Sequence, residues 1–224
     1  MLAWTFSQVS NKIKNYTTFI LCLSFLWGCC DCDPQSKAYE ADQMVLVPAG
    51  EFIMGTNKID TEDTHKKIGA VKPLYLDQHP ERKIFLDEYY IDQYEVTNKE
   101  YSDFLEVNQF TDIPAHWQDG IFPEGQGDHP VTQVTWWEAW SFCQWKEKQL
   151  PTEEQWEKAA RGPDGLPFPW GEKFIKGKAN VGIEGDRKAM PITSYPEDVS
   201  PYKVMGMSGN VMEWTLVIVQ THLH

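Results

Sequence analysis

The chain is 224 residues long, 42% apolar and 13% aromatic, enough to bury one sizeable core, and it carries a net charge of −13. A body this acidic argues against nucleic acid and anionic membrane surfaces as partners and is compatible with calcium. Ten tryptophans, fifteen glycines and fourteen prolines point to a domain rich in loops and turns, packed largely by aromatic side chains.

The N-terminus reads as a targeting segment. Lys12 and Lys14 precede an apolar run from Phe19 to Trp27, of signal-peptide length and about half of what a spanning helix needs. Leu26-Trp27-Gly28-Cys29 resembles a bacterial lipoprotein cleavage box. Residues 1–28 are therefore read as a signal peptide of lipoprotein type with Cys29 as the lipidated residue; a plain secretory signal and a short uncleaved anchor are the alternatives. Either way the body is expected to be exported, and with the lipid it is a membrane-anchored lipoprotein of the bacterial cell envelope. Residues 29–43 are polar and read as a linker. Of the five cysteines only Cys143 falls in the body, and a buried structural thiol is its expected role.

The body opens at Met44 with a strand, a Pro/Gly turn and a second strand running to Gly55. Residues 56–80 are polar and predicted to form an exposed loop, and Lys83 to Asp92 returns to extended character. Three helix starts then share one device. Thr97 with Glu100, Thr135 with Glu138, and Thr152 with Gln155 each fit the capping box, in which the hydroxyl accepts from the amide three residues on and the longer side chain reaches back. These predict helices at about 97–107, 135–148 and 152–161. The middle one carries Trp136, Trp137, Trp140, Phe142, Cys143 and Trp145, is apolar almost all round, and is expected to be buried. From 163 onward Pro, Gly and Asp dominate and little regular structure is predicted.

Leu150-Pro151-Thr152-Glu153 through Trp156-Glu157 to Ala159-Ala160-Arg161-Gly162, and Gly209-Asn210-Val211-Met212-Glu213-Trp214, together resemble the formylglycine-generating enzyme (sulfatase-modifying factor) family. Met44–Gly55, Tyr90–Asn98 and Pro169-Trp170-Gly171 match it in order, so the resemblance covers residues 44–214, leaving 215–224 as a tail outside the family pattern. It implies an α+β fold of the C-type-lectin-like kind, with short strands, few helices and long irregular loops.

Loops without ladder partners leave backbone carbonyls to be satisfied, and a hard cation takes carbonyls and carboxylates together. The resemblance implies two calcium sites. The first would use the Asn180 side chain and the Val181 carbonyl, with Asp186 as the nearest candidate for its acidic ligand. The second would use the carbonyls of Gly209 and Val211 and the carboxylate of Glu213. Its fourth ligand, Asn or Asp in the family, falls on Gly206, so this site is expected to be weaker or absent.

The family activity is oxidation of a cysteine in a Cys-x-Pro-x-Arg sulfatase peptide to formylglycine, with copper held by two cysteines that follow the Glu-Trp motif. Here the motif is followed by Thr215 to His224 without cysteine, so the chain is read as C-terminally truncated, with no catalytic residue to name. Copper enters only if the native protein has those cysteines. His222 and His224 read as solvated. No phosphate loop, zinc spacing or nucleophile elbow appears, and His79, His116 and His129 are scattered. The alternatives are a non-catalytic, calcium-stabilised lectin-like binding module on a membrane anchor, and a decayed fragment that does not fold stably.

Overall fold

The computed structural model describes residues 43–62, 75–108, 113–181 and 188–216, together with the backbone of residues 2–3 and 7–9. Two short strands, β1 (Leu2–Ala3) and β2 (Ser7–Val9), fall inside the segment read as a leader; Lys12, Lys14, the apolar run and Cys29 lie outside the described residues. As expected, β3 (Met44–Val47) and β4 (Gly50–Met54) flank the Pro48-Ala49 turn. The extended stretch divides at Asp87-Glu88 into β5 (Arg82–Leu86) and β6 (Tyr89–Asp92). β6 is the centre of an antiparallel sheet, with Val45 opposite Ile91 and Val47 opposite Tyr89 on one side and β2 on the other. Tyr89 and Ile91 point into the core while Tyr90 is exposed, the period-two alternation of a strand with one covered face. β4 and β5 form a separate antiparallel pair, and β1 runs parallel to β7 (Met212–Glu213).

All three threonines cap helices: α1 (Asn98–Asn108), α2 (Trp136–Trp145) and α3 (Glu153–Arg161). The reciprocal bonds are present each time; Thr97, for instance, takes the Glu100 amide on its hydroxyl at 3.2 Å and donates its own amide to Glu100 Oε2 at 2.9 Å. Two expectations for α2 need correction. The helix stops at Trp145 rather than 148, because Lys146 leaves the helical region and Glu147 turns left-handed at φ 55°. The turn carries Lys148 to Asp92, 2.8 Å away and nearly buried. Nor is α2 buried all round, since Trp137 is 70% exposed and Trp140 38%. A short helix lying against one side of a core has one face to cover, and Ala139, Phe142 and Cys143 already fill it.

The core has two parts. Around α1 and α2, Tyr101, Phe104 and Phe142 meet with ring centroids 5.4–5.8 Å apart, beside Trp117, Val131 and Leu150. Around the sheet, Val47, Tyr89 and Ile91 pack against Ala159 and Ala160 of α3. Polar bonds lock that second contact. Tyr89 donates its hydroxyl to the Gln155 carbonyl at 2.6 Å. The buried Lys158 ammonium donates to the carbonyls of Pro48 and Gly50 at 2.7 and 3.0 Å, so the β3–β4 turn is satisfied from the helix. Past α3 the only described strand is β7, in line with the expected irregularity. The described residues thus form an α+β body of short strands and few helices. Among them no helix is long and apolar enough to cross a membrane.

Candidate functional site

The segment 205–214 is threaded between the two core regions and held from both sides. A tight turn at Ser200 to Val204, with Lys203 left-handed at φ 75°, delivers the chain to Met205, whose amide donates to the Gln93 carbonyl just past β6 at 2.8 Å. Gly206 then donates to the Asp198 carbonyl at 3.0 Å. At the far end Trp214 donates its indole N–H to the Val134 carbonyl, Trp136 donates to the Thr215 carbonyl, and Leu216 donates to the Pro151 carbonyl. Thr215 and Leu216, the first residues of the segment read as a tail, are thereby sewn to the starts of α2 and α3.

Asn210 is the hub. It sits left-handed at φ 63°, a conformation Asn tolerates well. Its Oδ1 accepts from the Asn180 side chain at 3.0 Å and the Met190 amide at 2.8 Å, while its Nδ2 donates to Glu95 Oε1 at 3.0 Å and the Met190 carbonyl at 3.1 Å. All four side-chain bonding positions of the amide are thus used. Gly209 allows the close approach behind this: a Cβ there would stand 2.5 Å from the Asn180 carbonyl oxygen, which accepts from the Asn210 amide.

Beneath the hub lie carboxylates. Glu95 is 1% exposed; Oε1 is held by Asn210, while Oε2 is buried with no hydrogen-bond partner. Burial first, then the negative charges of Glu213 and Asp198, hold its carboxyl well above the usual range, against the lowering pull of the Asn210 bond. Asp198 is also buried, accepts from the Ser208 amide at 3.2 Å through Oδ2, and leaves Oδ1 without a partner. Burial pushes it up to about 6. Glu213 accepts from the Trp156 indole at 2.5 Å.

The sequence-predicted residues fare differently. Asn180 and the Gly209–Val211 segment, read as parts of separate calcium sites, are brought together through the Asn180–Asn210 contact. The Asn180 amide also donates to the Lys188 carbonyl, and Val181 lies partly exposed at the surface. Glu213 joins the carboxylate group through its field on Glu95, whereas Asp186 and Cys29 lie outside the described residues. Among the described residues no three His, Cys, Asp or Glu side chains converge closely enough to hold a metal by themselves, so a cation here would lean on backbone carbonyls. Sequence reasoning missed Glu95, Asp198 and Asn210 as site residues. Asn210 and Glu95 both stood in stretches quoted for the resemblance, but nothing local marks Asp198. Cys143 is fully buried, and burial followed by the Asp92 charge pushes its thiol up, as expected of a structural cysteine.

A groove of about 560 Å³ lies beside this site, lined by Trp156, Glu157, Arg161, Phe168, Met207 and Ser208. Its guanidinium is already committed to Glu157 and to the carbonyls of Gly55, Gly165 and Leu166. The groove therefore presents no uncommitted arginine to an anion.

Comparison with known proteins bears on this arrangement. Residues 31–223 match the sulfatase-modifying factor enzyme 1-like domain. The chain is 33% identical over 216 residues to the uncharacterized protein YfmG of Bacillus subtilis, covering 79% of this chain and 42% of that protein. It is 29% identical over 238 residues to the formylglycine-generating enzyme of Bos taurus, covering 81% of this chain and 59% of the enzyme. To the mouse protein called inactive C-alpha-formylglycine-generating enzyme 2 it is 27% identical over 222 residues, covering 77% of this chain and 68% of that protein. The chain thus spans about half the length of the first two. With the Gly-Asn-Val and Glu-Trp elements seated between the two halves of the core, the chain belongs to the sulfatase-modifying factor (formylglycine-generating enzyme) family.

Proposed function

We propose that this chain acts as a non-catalytic sulfatase-modifying-factor domain, a recognition module whose contact face is the tryptophan ridge of α2. The observation that carries this is the exposure of Trp137 and Trp140 on a helix whose other face is locked into the core. The Trp136, Trp137 and Trp140 rings follow one another edge to face at 4.9 and 6.3 Å, a rigid aromatic surface of the kind that dominates protein interfaces. Burial of Cys143 supports the same reading, because a thiol held in its neutral form is a poor ligand for copper. A second reading, oxidation of a Cys-x-Pro-x-Arg sulfatase peptide with copper, is favoured by the similarity to the bovine enzyme. Oxygen uptake by the full chain loaded with Cu(I) and supplied with such a peptide separates the two. No consumption is expected, and formylglycine in the peptide would overturn the proposal.

The finer expectations belong to the same proposal. The body takes a C-type-lectin-like arrangement, consistent with its short strands and its long segments without regular structure. Calcium would be held at two sites, one by the Asn180 side chain and the Val181 carbonyl with Asp186, the other by the Gly209 and Val211 carbonyls with the Glu213 carboxylate, where it would neutralise negative charge. The buried, partnerless oxygens of Glu95 and Asp198 beside that loop suit a hard cation. Cys29 carries a lipid that tethers the exported domain to the cell envelope, and the intact mass of protein made in a bacterial host would reveal it.

A further inference from the structure

We infer that the outer edge of β6 is a strand-addition site, which takes an extended, uncharged or basic segment of a partner protein main chain to main chain. Residues 7–9 fill that edge here: β2 runs antiparallel to β6, with Ser7 opposite Ile91, Gln8 opposite Tyr90 and Val9 opposite Tyr89. β3 serves only the other edge of β6, so among the described strands β2 alone answers the outer one. Tyr89 and Ile91 are 1% and 0% exposed, so backbone groups left open there would sit beside the core. The sequence does nothing to blunt this edge, since Tyr89-Tyr90-Ile91 holds no lysine, proline or glycine.

The resident strand shows what the edge accepts and when it can be exchanged. It comes from residues read as a leader, and their removal on export, which is part of the proposal above, would leave β6 open to a partner. Its pairing is main chain on main chain, the form of recognition in which backbone hydrogen bonds give affinity and alternate side chains give selectivity. On the outer face Leu46 and Tyr90 stand opposite each other and are 43% and 40% exposed, so a residue paired with Tyr90 extends an open apolar row. Charge favours the same kind of segment: residues 1–14 carry Lys12 and Lys14 and no acid, in a chain of net charge −13.

The test is fluorescence anisotropy of a labelled peptide of residues 1–12, titrated with the unaltered full chain and with the full-length variant Ser7→Pro/Gln8→Pro. Successive residues of a strand direct their backbone groups to opposite edges, so one of the two prolines removes a donor to β6. The variant should bind the peptide roughly tenfold or more tighter than the unaltered chain, whose covalently joined strand competes for the edge. Bound peptide should also slow the hydrogen exchange of Tyr89 to Ile91, which the variant alone shows accelerated. A variant that keeps its near-ultraviolet circular dichroism and binds no peptide would overturn the inference, as would equal binding by the two chains. A peptide carrying the same two prolines should bind neither chain; if it binds the variant as well as the original peptide does, charge and not strand pairing is responsible and the inference falls. Should the variant lose its dichroism, irradiation of the full chain with benzoylphenylalanine in place of Gln8 replaces it. Cross-links to residues 89–91 are then expected, and cross-links confined elsewhere would overturn the inference. None of these outcomes depends on whether the leader is removed, which intact mass decides separately.

Discussion

Asp198 and Glu95 carry their charge, or lose it, inside the protein, and that makes stability depend on pH in an unusual direction. Asp198 has a folded value of about 6 against an ordinary 3.8. Between those values the folded state keeps a proton that the unfolded chain has released. Below about pH 4 both states are protonated and the carboxyl contributes no difference. As pH climbs through 6 the folded carboxyl must ionise against burial, so stability falls across that window, by about 2–3 kcal/mol at most for this group. Glu95 is shifted the same way and adds to the slope. Urea unfolding in chelator at pH 4.5 and pH 7 should show the decline, and Asp198→Asn should flatten it. An unaltered slope in the variant would mean that Asp198 is not the group responsible.

At the scale of elements, the helices were written where they could be read. Each capping box lies within four consecutive residues, so the bonds that start α1, α2 and α3 are properties of local sequence. Thr152→Ala should therefore cost about 1 kcal/mol, read as a shift of the urea midpoint. What local sequence did not disclose is which way α2 faces, because seven apolar residues in ten give no sign of which of them the core will take. The contrast is measurable. Phe142→Ala should lower stability by about 3–5 kcal/mol, whereas Trp137→Ser, on the exposed face, should move it by less than about 0.5 kcal/mol. Comparable losses would show that Trp137 is buried after all. The site lies at the other extreme of legibility. Its motif residues, Gly209 to Glu213, could be quoted from the sequence, but Glu95 bonds to Asn210 across 115 residues, and no spacing rule connects them. Asp198 owes its perturbed state to burial, against the lowering pull of the Ser208 amide ten residues on, and neither is written in its local sequence.

For the molecule as a whole, the net charge of −13 is a uniform burden on folding, since the acids repel one another most in the compact state. Monovalent salt screens that repulsion over about a Debye length, so raising sodium chloride from 50 to 500 mM should raise the melting temperature; a fall would indicate that attractive surface pairs dominate. The other property at this scale is the seam. Met207 packs with the sheet and α3, while Trp214 and Leu216 pack with α1 and α2, so one stretch of chain closes both halves of the core. That stretch is made more than a hundred residues after Glu95. Until residue 210 has been made, Glu95 has neither Asn210 beside it nor the 205–216 segment above it. The nascent chain can form its capped helices early but cannot complete its interior until about residue 216 has emerged. Until then, the surfaces destined for the seam are open to any chaperone or protease in reach.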